Sequence, residues 1–349
     1  MREIYRILDA NLNRAREAMR VVEDFARFAL DDAGLSAAAK GMRSRLQELS
    51  AQLPADALLA RRDTAADVGT ALTSATEMAR ADAASVVTAA CKRLTEALRT
   101  LEEYAKVVAP GLPGRFESLR YEAYTLEREL ARRLSPASRF AEVKLYVLVT
   151  SSLARGGPER AAQAAIRGGA DCIQLREKEM PDGQLLALAR DLRRLTREAG
   201  VLLIVNDRPD IAALVGADGV HVGQDDLPVA AARRVLPPWG IVGLSTHNPA
   251  QLAAAVEAGC DYIAVGPVFP TETKDAGPVA GIAYLRRGLA DSPFPIVPIG
   301  GINADNVCRL VEAGAERVAV CSAVIAAEDP AAAAAEIKRR LENGCHPQA

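Results

Sequence analysis

The sequence predicts an α/β protein: a (β/α)8 TIM barrel preceded by an all-α helical domain. Three observations predict it. Over the first ~135 residues, apolar side chains recur every three or four positions with charges between them, the period of amphipathic helices. From Lys144 the pattern changes to short β-branched runs alternating with Ala- and Leu-rich stretches, as βαβ units in a parallel sheet require. Eight such runs follow, and polar residues gather where they end.

The helical half reads as four helices, over 6–30, 35–53, 76–108 and 114–134. A polar stretch at 61–70 shows no period, and Pro110 and Pro113 separate the third helix from the fourth. Ser135 to Ser138 reads as a linker, which places the domains at 1–138 and 139–349. This half contains a repeat: R-x-x-E-A-x-R-x-x-E-[DE]-[FY]-A occurs at 14–26 and again at 93–105. Residues three apart are helical neighbours, so each copy sets Arg and Glu in an alternating ladder. Such ladders fit either solvated helix faces or two related helices whose ladders meet at a shared cleft.

The strands of the second half are expected at 145–149, 172–175, 202–205, 219–222, 241–244, 262–265, 296–299 and 317–320. The ~200 residues from Lys144 onward suffice for a barrel without inserted domains. An open doubly wound sheet is the competing arrangement, but no early G-x-G-x-x-G joins strand to helix. Low aromatic content (4%) requires a core of Ala, Leu, Val and Ile. With 43 Lys and Arg against 45 Asp and Glu, the net charge of −2 argues against a general nucleic-acid or anionic-membrane binder. No apolar leader or membrane-length run occurs, and six cysteines without a CxxC pair read as small reduced thiols. A cytoplasmic protein is expected.

Barrels of this kind place their active sites where strands run into the following loops. Those positions hold Gln174, Arg176 and Lys178 after strand two, Asn206 and Asp207 after strand three, and His221 and Asp226 around strand four. Ser245 and His247 follow strand five, Thr271, Thr273 and Lys274 follow strand six, Gly300 and Gly301 strand seven, Cys321 and Ser322 strand eight. The opposite strand ends read as lacking any comparable polar concentration. Asp207 and Asp226 suit a hard octahedral ion such as Mg²⁺, held by one or two carboxylates and by substrate phosphates. Arg176, Lys178 and Lys274 complement the remaining charge of a diphosphate and would stabilise it as a leaving group. Gly300, Gly301 and Ser322 read as a separate phosphate cradle, because glycines let backbone N–H groups approach an anion. His221 reads either as a base or as a neutral group in a supporting role near the metal, the second being favoured, His247 as structural, and His346 lies in the C-terminal tail.

The segments Q-L-R-E-K, N-D, H-V-G-Q-D-D, G-P-V-F-P-T-E-T-K and G-G-I occur here in the order and spacing of one family. Over essentially all of 144–330 the sequence resembles thiamine-phosphate synthases. The resemblance implies a Mg²⁺-dependent transferase that joins an aminopyrimidine methyl diphosphate to a thiazole phosphate carboxylate, giving thiamine phosphate and diphosphate. It implies Asp207 and Asp226 as metal ligands, and Gln174, Arg176, Lys178, Asn206, Ser245 and Lys274 at the pyrimidine diphosphate. Thr271, Thr273, Gly301, Cys321 and Ser322 would meet the thiazole phosphate, Cys321 through its backbone. Arg176, Lys178, Ser245 and Lys274 would carry catalysis by drawing off diphosphate, leaving a pyrimidine-methyl cation for the thiazole nitrogen to capture.

The first half, through N-x-N-R-A-R-E-A-x-R-V-x-E-D, R-D-T-x-x-D-V-G-T and E-A-L-R-T-L-E-E-Y, resembles a helical family found fused ahead of such synthases. That resemblance implies an alternative hydroxymethylpyrimidine-phosphate kinase; a dimerisation or docking module, the former making a homo-oligomer, is the other reading. For the barrel, a thiazole tautomerase, a phosphate-binding epimerase and a non-catalytic precursor sensor are the competing readings. None of the three calls for a leaving-group cation set.

Overall fold

The computed structural model describes residues 2–60, 80, 82–271 and 278–343. By its internal contacts the chain divides into two compact units, Met1–Leu134 and Ser135–Ala349.

The first unit is built from α1 (Arg2–Phe28), α2 (Ala33–Ser50), the short α3 (Ala55–Leu59), α4 (Ala83–Val108) and α5 (Pro113–Leu134). α1 packs along α4 and α2, α4 packs along α5, and α2 reaches α5, so the four long helices close into a bundle. The repeat explains this pairing. Ala15, Ala18, Met19, Val22 and Ala26 are buried on α1, and their counterparts Leu94, Ala97, Leu98, Leu101 and Ala105 are buried on α4. Each copy also buries its last ladder glutamate and pairs it with an arginine on the next helix. Glu23 meets Arg43 of α2 at 2.9 Å, and Glu102 meets Arg120 of α5 at 3.0 Å. Arg14, Glu17, Arg20, Arg93, Glu96 and Arg99 are exposed. The ladders are therefore solvated faces up to their final glutamate, which answers the choice left open by the pattern.

The expected linker holds a helix instead. Ser135 caps α6 (Pro136–Ala141), a turn that drives Phe140 into the second unit. There follow β1 (Leu145–Val149), α7 (Pro158–Arg167), β2 (Cys172–Leu175), α8 (Asp182–Ala199), β3 (Leu202–Asn206), α9 (Pro209–Val215) and β4 (Gly219–Val222). The second half runs α10 (Val229–Val235), β5 (Ile241–Thr246), α11 (Pro249–Ala258), β6 (Tyr262–Val265), α12 (Gly281–Asp291), β7 (Ile296–Pro298), α13 (Val307–Val311) and β8 (Val318–Val320). Helices α14 (Ser322–Ile325) and α15 (Pro330–Asn343) finish it. The strands pair in parallel from β7 through β1 to β8, and an Ile299–Ala319 bridge closes the ring. This is the TIM barrel that the sequence predicts.

Side chains alternate across each strand. Val147, Ile173, Val205, Val220, Val242 and Ile263 face outward into the apolar layer under the helices. Tyr146, Leu148, Cys172, Ile204, Ile241, Tyr262, Val297 and Ala319 form a second cluster together with Phe140. The same alternation sends Gln174, Asn206, His221 and Ser245 inward, one step nearer the mouth.

The starts of the strands correct one expectation, for β2, β4 and β6 are each preceded by an acid. Asp171 accepts the backbone N–H groups of Lys144 and Leu145, Asp218 that of Leu203, and Asp261 that of Val242. Each carboxylate therefore ties its own strand to the one before it. Each also holds a cation: Lys338 on Asp171, Arg193 and Arg139 on Asp218, Arg233 on Asp261. Cys91, Cys172, Cys260 and Cys321 are free, and Cys345 lies outside the described residues. Among the described residues no helix is long and apolar enough to cross a membrane.

Removing the carboxylate of Asp218 leaves two arginines and a buried N–H without their acceptor. Asp218→Ala should cost about 3 kcal/mol, read as a lower urea midpoint for barrel unfolding.

Candidate active site

At the C-terminal ends of the strands a cavity of about 520 Å³ opens into the barrel mouth. Gln174, Arg176, Lys178, Asn206, Asp207, Asp226 and Ser245 line one part of it, and Thr271, Gly301, Cys321 and Ser322 line another. Thr273 and Lys274, which the sequence adds to these groups, lie outside the described residues.

Asp207 follows β3 with φ +64°, a left-handed conformation rare outside glycine. Its N–H bonds the His221 carbonyl at 2.8 Å, which pins this turn to β4. The Asp207 carboxylate is bridged by the Lys178 ammonium and lies beside that of Asp226. Burial raises its pKa, and the Asp226 carboxyl raises it further, while Lys178 works against both. Asp226 is aimed by its bond from the Gly223 N–H at 2.8 Å. Two acids are thus held together against their mutual repulsion, an arrangement that a cation between them would relieve.

From Gln174 to Ser245 runs a chain of buried polar groups that sequence reasoning did not find. The Gln174 amide donates to the Tyr146 hydroxyl at 2.5 Å, and Tyr146 meets the Tyr262 hydroxyl at 3.0 Å. Tyr262 meets His221 Nδ1 at 2.9 Å, and His221 Nε2 meets Ser245 Oγ at 2.8 Å. Burial pushes both tyrosine hydroxyls well above their ordinary pKa, so they stay protonated. The Phe140 ring lies flat on Tyr262 at 3.7 Å between centroids. Tyr146 and Tyr262 stand inside apolar strand runs, where their period-two placement was the available signal. His221 therefore supports Ser245 directly. His247 lines the cavity while its Nδ1 bonds the Gly266 carbonyl at 2.7 Å, so its structural contact and a place in the wall coexist.

Across the mouth, Gly300 and Gly301 both have positive φ, +99° and +65°. Gly301 packs so closely on Pro270 and Phe269 that a side chain there has no room. Asn306 holds its carbonyl at 2.7 Å. The thiol of Cys321 is pushed up to about 11 by burial, which leaves it a neutral wall group.

Residues 145–324 match the family model described as thiamine monophosphate synthase, and residues 6–129 match the ThiD2 family. A thiamine-phosphate synthase of Synechocystis sp. is 43% identical over 97% of this chain and 96% of its own length. That of Gloeobacter violaceus is 43% identical over 98% of both. The chain belongs to the thiamine-phosphate synthase family. Among solved structures, thiamine phosphate pyrophosphorylase from Pyrococcus furiosus superposes with a TM-score of 0.54 at 36% identity. It covers 58% of this chain and 96% of its own, the extent of a barrel without the helical unit.

Gly243 leaves the space that the Tyr262 ring fills, since a Cβ there would run into the ring. Gly243→Ala should therefore displace Tyr262 and cost about 2 kcal/mol, seen as a lowered melting temperature.

Proposed function

We propose that the barrel transfers an aminopyrimidine-methyl group from its diphosphate to the nitrogen of a thiazole phosphate, giving thiamine phosphate and diphosphate. Where the thiazole carries a carboxylate, that group leaves as carbon dioxide. The observation that carries this reading is one cavity lined by Asp207, Asp226, Arg176 and Lys178 and also by Gly301 and Ser322, with Gln174 and Ser245 in the same wall. We read the first four as the diphosphate end and the last-named glycine and serine as the phosphate end.

Asp207 and Asp226 are the residues to hold Mg²⁺. Among the described residues no group of three or more His, Cys, Asp and Glu is placed to hold a metal ion. A site with two carboxylates, completed by phosphate oxygens and water, is what Mg²⁺ prefers. When bound, the ion neutralises charge on the diphosphate. Arg176 and Lys178 hold the same diphosphate through charge-assisted hydrogen bonds, and by the family resemblance Lys274 joins them. Their attraction grows as negative charge develops on the departing oxygen, so they lower the barrier rather than only tightening binding. Gln174, Asn206 and Ser245 orient the pyrimidine, while Thr271, Thr273, Gly301, Ser322 and the Cys321 backbone hold the thiazole phosphate. The thiazole nitrogen supplies its own electron pair, so no protein nucleophile or strong base takes part. Phosphorylated substrates too charged to cross a bilayer also favour a cytoplasmic setting.

For the helical unit, the ThiD2 match supports the kinase reading. A hydroxymethylpyrimidine-phosphate kinase would make the diphosphate that the barrel consumes. Incubation of the full chain with the pyrimidine monophosphate, ATP and Mg²⁺ should yield pyrimidine diphosphate by ³¹P NMR. If none forms, the kinase reading fails.

For the barrel, the wild type supplied with both substrates and Mg²⁺ should form thiamine phosphate. Arg176→Ala and Asp226→Asn should each lower kcat by roughly 100-fold or more with the fold retained by circular dichroism. Near-normal turnover in either variant would remove that residue from the leaving-group end.

A further inference from the structure

The five hydrogen-bonding groups from Gln174 to Ser245 form an unbroken line across the barrel, and both ends line the cavity. A hydroxyl has one hydrogen to give, and a neutral imidazole has one as well. In a line where every link must be made, those hydrogens can run in only two directions. In the first, Gln174 donates to Tyr146, Tyr146 to Tyr262 and Tyr262 to His221 Nδ1, while His221 donates from Nε2 to Ser245. In the second, every donor is reversed, beginning with the Ser245 hydroxyl and ending on the Gln174 carbonyl. Any mixed arrangement leaves a buried donor without an acceptor, sets two donors face to face, or leaves one link as two facing acceptors with no hydrogen between them. At these burials, 2% for Gln174, 1% for Tyr146 and 0% for Tyr262, that costs far more than either uniform direction. The amide of Gln174 and the tautomer of His221 are therefore coupled over the width of the barrel.

We infer that Tyr146, Tyr262 and His221 are positioning residues that lock the first direction, so that the cavity meets a carbonyl acceptor on Gln174 and a hydroxyl donor on Ser245. The Gln174 amide nitrogen stands 2.5 Å from the Tyr146 oxygen, which turns its carbonyl away from the tyrosine. Ser245 Oγ, accepting from His221, keeps its own hydrogen for a ligand. An acceptor at one end and a donor at the other match an aminopyrimidine diphosphate, whose exocyclic N–H donates and whose ring nitrogens and phosphate oxygens accept. A ligand with a carbonyl in place of the amino group would meet Gln174 acceptor to acceptor. The inference rests on the substrate reading above and extends it to the specificity of the pyrimidine end.

The direct test is the tautomer of His221 in the full-length protein labelled with ¹⁵N-histidine, read from long-range ¹H–¹⁵N correlations and assigned with His221→Gln. The expected result is a neutral ring with its proton on Nε2. Tyr262→Phe keeps the ring on Phe140 but removes the donor to Nδ1. It should give mixed tautomers and lower kcat/KM for the pyrimidine diphosphate by roughly 10- to 100-fold, leaving KM for the thiazole phosphate unchanged. Tyr146→Phe cuts the line one link earlier and should raise the pyrimidine KM while His221 keeps its Nε2 proton. A proton on Nδ1 in the wild type, or a folded Tyr262→Phe with unchanged tautomer and pyrimidine kinetics, would overturn the inference. If the wild type makes no thiamine phosphate, the substrate reading falls and takes the specificity claim with it. A reversed tautomer with full turnover overturns the inference alone.

Discussion

Two tyrosine hydroxyls are buried on the axis of the barrel, and much of the surrounding structure follows from the need to satisfy them. Tyr146 and Tyr262 are essentially inaccessible to water, so each hydroxyl must find partners within the protein. They find each other, then Gln174 on one side and His221 on the other. Room for the rings comes from neighbouring strands, where Gly243 carries no side chain against Tyr262. Phe140, carried by the short α6, lies flat against the Tyr262 ring. The cavity thus rests on a rigid polar layer that reaches its surface only at Gln174, Tyr146, His221 and Ser245.

The two ends of the barrel divide stability from chemistry. At the strand starts, Asp171, Asp218 and Asp261 are each satisfied by a backbone N–H and a cation, an arrangement that asks for no ligand. At the strand ends, Asp207 and Asp226 lie side by side, and burial and the Asp226 carboxyl both raise the Asp207 pKa. The helical unit repeats the structural theme, with Glu23 and Glu102 each buried against an arginine of the following helix.

Eight strands and the four long helices were legible because their periods are set by packing against one side, and packing follows apolar residues. The cavity-lining polar residues were legible because a parallel barrel leaves strand ends as the place where loops converge. The tyrosine chain was not, since a tyrosine in an apolar run reads as core until its hydroxyl partners are known, and those come from strands up to 116 residues away. The acids at the strand starts were hidden likewise, for an Asp after Gly-Ala or Gly-Cys reads as a turn residue until its backbone partner is known. α6 was missed because Pro136 beside two serines carries the composition of a linker, although Pro is favoured at the first turn of a helix.

The central claim is that a single cavity holds a diphosphate at Asp207 and Asp226 and a phosphate at Gly301 and Ser322. A crystal structure of the full chain with thiamine phosphate, diphosphate and Mg²⁺ tests it most directly. The account predicts diphosphate against Arg176 and Lys178 with the ion on the two aspartates. It places the pyrimidine between Gln174 and Ser245, and the thiazole phosphate at Gly301. Either phosphate group bound at the opposite end, or the product bound outside this cavity, would contradict it.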